Sequence, residues 1–84
     1  MLAFEPSAWK DYIYFKNSDK AISKKIDKLI KETLRKPFDG IGKPERLKGN
    51  LSGYWSRRIT QEHRFVYKYE DGVIIIASCR FHYE

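Results

Sequence analysis

Tyr54-Trp55-Ser56-Arg57-Arg58-Ile59-Thr60, Arg64-Phe65-Val66-Tyr67-Lys68-Tyr69 and Val73-Ile74-Ile75-Ile76-Ala77-Ser78 are three runs dense in aromatic and β-branched residues. Gln61-Glu62-His63 separates the first two and Glu70-Asp71-Gly72 the second two, and connections this short join antiparallel neighbours. The spacing predicts a meander with strands over 54–60, 64–69 and 73–83. Successive strand residues point to opposite faces. In the last run Val73, Ile75, Ala77, Cys79 and Phe81 make one apolar row suited to a covering layer, and Ser78, Arg80 and His82 make the other. In the first run Trp55 and Ile59 read as core, leaving Tyr54, Ser56 and Arg58 on the opposite side. Pairing of Thr60 with Arg64 across the first turn would bring Arg58, Arg64 and His82 to one open face.

Upstream, Leu2 to Phe4 suits a short edge strand, and Pro6-Ser7 opens a helix whose Trp9, Tyr12 and Ile13 share a side and which runs to about Lys16. Asn17-Ser18-Asp19 supplies a turn and an N-cap. In the second helix Ile22, Ile26, Leu29, Ile30, Thr33 and Leu34 form a stripe, with Lys20, Lys24, Lys28 and Lys31 largely off it, as on a solvated outer face. Pro37 ends this helix. From Phe38 to Gly53 the glycines and Pro44 forbid a long regular element, leaving a loop with one short strand near Glu45 to Lys48. The expectation is a single domain over 1–84 of the α+β class, two N-terminal helices packed on one face of a small twisted, mainly antiparallel sheet.

The 84 residues are too few for a two-domain enzyme. Seventeen Lys and Arg against eleven Asp and Glu give a net charge of +6, which favours polyanions or an acidic protein as partners. The one cysteine excludes an internal disulfide framework, and with His63 and His82 it forms no zinc-ligand spacing, so neither a metal nor a cofactor is expected. No stretch is long and apolar enough to span a membrane, and the N-terminus lacks the pattern of a secretory leader, which points to the cytoplasm.

Glu45 stands among Lys43, Arg46 and Lys48. It is either a solvated loop acid or a general base whose ionised form these cations favour. His82 is either a surface histidine or a general acid, since imidazole has the ordinary pKa nearest neutrality. Arg57, Arg58, Arg64 and Arg80 are solubilising charges or phosphate ligands, because guanidinium forks match phosphate oxygens two bonds at a time. Tyr54, Tyr67 and Tyr83 serve packing or the stacking of an unpaired base. His63, beside a turn, reads as structural, and Cys79 as a small buried hydrophobe. A carboxylate, an imidazole and arginines are what RNA cleavage through the ribose 2′-hydroxyl requires.

Ser7-Ala8-Trp9-Lys10-Asp11-Tyr12, Gly42-Lys43-Pro44-Glu45, Asn50-Leu51-Ser52-Gly53-Tyr54-Trp55-Ser56-Arg57-Arg58-Ile59-Thr60, Glu62-His63-Arg64 and Cys79-Arg80-Phe81-His82-Tyr83, in that order and spacing, resemble the YoeB toxins of the RelE/ParE superfamily. The resemblance implies a RelE-like fold and a ribosome-dependent endoribonuclease that cuts mRNA in the A site of the 70S ribosome. It further implies neutralisation by a YefM-like antitoxin and formation of a homodimer. By the same resemblance Glu45 is the general base, His82 the general acid and Arg64 the ligand of the transition-state phosphate, with Lys48, Arg58 and Tyr83 assisting. Two features depart from the family pattern: Glu84 follows the His82-Tyr83 pair, and Arg46 adds a cation next to Glu45. The competing functions are a noncatalytic RNA- or ribosome-binding translation blocker and a gyrase-targeting ParE-like toxin.

Overall fold

A computed structural model describes residues 1–81 of the chain. In chain order the elements are β1 (Leu2–Phe4), α1 (Pro6–Ser18), α2 (Lys20–Arg35), β2 (Glu45–Arg46), a 3-10 turn (Gly49–Leu51), β3 (Trp55–Arg58), β4 (Arg64–Glu70) and β5 (Val73–Ser78). The five strands form one sheet in the order β1-β5-β4-β3-β2, with β1 parallel to β5 and the other pairs antiparallel. Both helices lie on one face, as the sequence predicts.

Local chemistry accounts for the helices. Pro6 stands in the first turn of α1, where its missing N–H is no loss. The helix runs through Ser18, two residues past its expected end, so Asp19 alone separates the helices. Its backbone N–H closes α1 on the Phe15 carbonyl, and its side chain accepts from the Ile22 N–H to open α2. The α2 stripe buries Ile26, Leu29 and Thr33 and packs Ile22 and Ile30 against the core, but Leu34 is exposed, a correction to the predicted stripe. Ala8 and Phe15 of α1 complete the layer over Phe65, Tyr67, Ile74 and Ile76.

The meander forms with three corrections. Its first turn is tighter than predicted: Ile59 and Thr60 both donate to the His63 carbonyl, at 3.1 and 3.2 Å, and Arg58 rather than Thr60 pairs with Arg64. The alternation of β5 is the opposite of that predicted. Ile74 and Ile76 face the core opposite Tyr69 and Tyr67, whereas Val73, Ile75 and Ala77 are only partly buried. A bulge follows, because Val66 pairs with Ser78 while Tyr67 pairs with Ile76, leaving Ala77 as the extra residue. This reverses the alternation and brings Cys79 into the core, where its backbone N–H donates to Asp11 at 3.3 Å. The strand ends at Ser78 rather than continuing to Tyr83.

Candidate functional site

The register decides which side chains share the face away from the helices. Glu45 pairs with Ser56 and Ser56 with Val66, and directly opposed residues point the same way, so Glu45 is on the open face. Arg58 and Arg64 lie two residues from Ser56 and Val66 along their strands and oppose each other, so they share it. Three of the residues singled out in the sequence are thereby gathered across β2, β3 and β4. Glu45 and Arg58 occupy diagonal positions about 7–8 Å apart, within the span of an arginine. Lys48 follows the Leu47 N–H···O bond to Tyr54 and is exposed at the head of the 3-10 turn. His82 and Tyr83 lie outside the described residues.

Arg58 is exposed and Arg64 is 8% exposed. One terminal nitrogen of Arg64 donates to the carbonyls of Thr60, Gln61 and His63 at 2.7, 3.1 and 3.1 Å. These bonds fix the guanidinium against the turn. Two like charges at opposed positions repel, and an anion between them relieves that repulsion, so the pair suits a phosphate.

Arg57, one residue from Arg58, does something else. It is fully buried on the helix face. Its guanidinium donates to the Tyr67 hydroxyl at 3.2 Å and to the carbonyls of Ile41, Lys36 and Asp39 at 2.9, 2.5 and 3.0 Å. The Tyr67 hydroxyl donates in turn to Pro37 at 2.6 Å. Lys36 caps the C-terminal end of α2, where carbonyls lack helical partners and the helix dipole favours a cation. Arg57 therefore clamps the segment after α2, and the expectation that it serves as a phosphate ligand is corrected. The signal was present in the sequence: Arg57 alternates between Trp55 and Ile59, both read as core.

The clamped segment leads to Glu45. Gly42, at φ 82°, accepts at its carbonyl from the Arg58 N–H at 2.7 Å. A Cβ there would stand 2.9 Å from Leu29 Cδ2 and 3.0 Å from Arg57 Cβ, so only glycine fits between α2 and β3. Glu32 braces the same segment, accepting from Arg35 at 2.8 Å and from the Ile41 N–H at 3.2 Å, and these bonds, that of Arg35 foremost, hold its carboxyl below the usual range. Tyr67, also read as packing or stacking, is part of this buried frame, and burial pushes its hydroxyl up.

The remaining sequence candidates are distributed elsewhere. Arg80 stacks on Tyr14, 3.8 Å from the ring centre. Cys79 is buried, and desolvation followed by the nearby Asp11 pushes its thiol up to about 12, which suits an inert core residue. A groove of about 540 Å³, lined by Leu2, Phe4, Trp9 and Tyr12 among others, lies near the β1 edge between the helices. It uses none of the candidate site residues. No helix among the described residues is long and apolar enough to cross a membrane.

Residues 4–83 match the family described as YoeB-like toxin of bacterial type II toxin-antitoxin system. The chain belongs to this toxin family. It is 57% identical over 82 residues to the toxin YoeB of Escherichia coli strain K12, covering 98% of each chain. Its fold is similar to that of a solved YoeB–YefM complex from Staphylococcus aureus, with a TM-score of 0.92, 51% identity and coverage of 99% of this chain and 97% of that one. It is also similar to a YoeB dimer from the same organism, with a TM-score of 0.90, 53% identity and coverage of 98% and 95%. The chain is thus a toxin of a toxin–antitoxin system, and the fold implied by its sequence motifs is the one observed.

Proposed function

We propose that the chain is a ribosome-dependent mRNA endoribonuclease, acting in the cytoplasm as a single domain over 1–84 on messages in the A site of the 70S ribosome. Glu45 takes the proton of a ribose 2′-hydroxyl, and that oxygen attacks the adjacent phosphorus. His82 protonates the departing 5′-oxygen. Arg64 and Arg58 bind the nonbridging oxygens, where charge increases as the new bond forms, and Lys48 and Tyr83 assist with the backbone and the base. The products are a 2′,3′-cyclic phosphate and a free 5′-hydroxyl, so protons and bonds balance without a further reactant. The observation that carries this reading is the sharing of one sheet face by Glu45, Arg58 and Arg64.

The fixed Arg64 guanidinium supports a preorganised phosphate site. By analogy with the relatives' complex and dimer, a YefM-like antitoxin neutralises the toxin and the toxin pairs with a second copy.

The test is cleavage of a defined message on programmed ribosomes. Glu45→Ala should keep ribosome binding and lower the cleavage rate by about 10²–10⁴-fold. Arrest of translation with the message intact in the unsubstituted protein would instead identify a noncatalytic blocker.

A further inference from the structure

His63 is 7% exposed, and the catalytic reading gives it no role. Its ring meets Phe15 of α1 edge-on, with centroids 5.0 Å apart. Its Nδ1 accepts a 2.8 Å hydrogen bond from the backbone N–H of Phe81, eighteen residues away. An imidazole nitrogen accepts only when it carries no proton, so the ring proton is on Nε2, which faces Glu62 Oε1 at 3.5 Å. The other backbone group of Phe81 is held as well, since its carbonyl accepts from the Arg64 N–H at 3.0 Å.

Phe81 has φ 63°, a left-handed conformation that bulky residues rarely adopt. Such a backbone persists where its surroundings over-determine it, and such positions concentrate at functional sites. Here the surroundings are His63 and Arg64 on the two backbone groups, with the Arg80 guanidinium 4.7 Å from the Phe81 ring centre. Phe81 immediately precedes His82 in the sequence.

We infer that His63 is a positioning residue for the reaction: by holding Phe81 through Nδ1, it fixes the point from which the chain delivers the general acid. The inference rests on the assignment of His82 as that acid. It also links the acid to the proposed phosphate ligand, because Arg64, next to His63, holds the Phe81 carbonyl through its backbone N–H while its side chain lies on the open face.

Two substitutions separate the acceptor from the ring. Asparagine places its side-chain oxygen near the position of Nδ1 and so keeps the acceptor, but loses the packing on Phe15. Phenylalanine keeps an aromatic ring against Phe15 but cannot accept. In the ribosome cleavage assay His63→Phe should lower kcat about tenfold or more with KM little changed, because a misplaced catalytic group costs rate rather than binding. His63→Asn should retain kcat within about threefold. Melting temperatures should run the other way, with the asparagine variant less stable. Amide exchange at Phe81 should be slow in the wild type and in His63→Asn and fast in His63→Phe.

Unchanged kcat in His63→Phe, kcat that follows melting temperature across the two variants, or fast exchange at Phe81 in the wild type would each overturn the inference. These outcomes are distinct from failure of the catalytic reading, which would appear as wild-type protein that arrests translation without cutting, or as full activity in His82→Gln.

Discussion

Arg57 and Arg58 are adjacent on β3, yet alternation of the strand gives them opposite environments. Arg57 sits inside the helix face, its guanidinium held by the Tyr67 hydroxyl and by carbonyls of Lys36, Asp39 and Ile41. Arg58 stands on the open face opposite Arg64. An arginine thus becomes framework where backbone oxygens converge on it, and stands open to an anion where another cation opposes it. The framework side also supports the open face, since the segment clamped by Arg57 is the one that leads to Glu45.

Substitution should break this comparison in opposite ways. Arg57→Leu leaves several carbonyls without their donor and should destabilise the fold by about 3 kcal/mol, read as a fall of roughly 10–20 °C in melting temperature. Arg58→Ala should leave the melting temperature nearly unchanged while lowering ribosome-dependent cleavage by about 10²-fold. Equal melting temperatures for the two variants would remove the distinction between them.

Gly42 tests the join between the two faces. Gly42→Ala forces a side chain into the contact with Leu29 and Arg57 at a positive φ, and should cost about 2 kcal/mol in thermal or denaturant unfolding. Gly72→Ala also has a positive φ, but its Cβ would meet nothing within 4 Å, so it should cost less. The gap between these two variants measures the close approach apart from the backbone strain.

The smallest effect concerns Glu32. Its carboxyl is held below the ordinary value of 4.5, mainly by Arg35 and by the Ile41 N–H. A carboxyl lowered in the folded chain adds stability that is present above that ordinary value and is lost as pH falls through the depressed one. Glu32→Gln cannot titrate, so thermal unfolding followed from about pH 6 to pH 3 should show a shallower loss of stability than the wild type. Superimposable pH profiles would show that this brace adds nothing.

Much of the fold was legible because local chemistry and periodicity agreed. The α2 stripe, the Asp19 cap, the β1 edge strand and the three-stranded meander each followed from residue types at fixed spacings. The facing of β5 was not legible, since Val73-Ile74-Ile75-Ile76-Ala77 is apolar at both parities and only the pairing with Tyr67 and Tyr69 decides between them. The bulge at Ala77 has no local signal, and without it Cys79 would face away from Ala8 and Asp11. At the site, Arg58 and Arg64 came together as expected, although through a different pair than Thr60 and Arg64. The facing of Arg57 was signalled by its alternation with Trp55 and Ile59, but its partners were not, because they are carbonyls of a loop sixteen to twenty-one residues earlier in the chain. The bond from Phe81 to His63 spans a comparable separation and was equally hidden.

On the proposed mechanism the open face of the sheet activates a ribose 2′-hydroxyl against its own phosphate. It is tested most directly with two messages on programmed ribosomes, identical except for a single 2′-deoxy substitution at the nucleotide before the cut. The all-ribose message should be cleaved, with a 2′,3′-cyclic phosphate on the upstream fragment, and the substituted one should stay intact at that bond. Cleavage of both messages at the same bond and rate would contradict it.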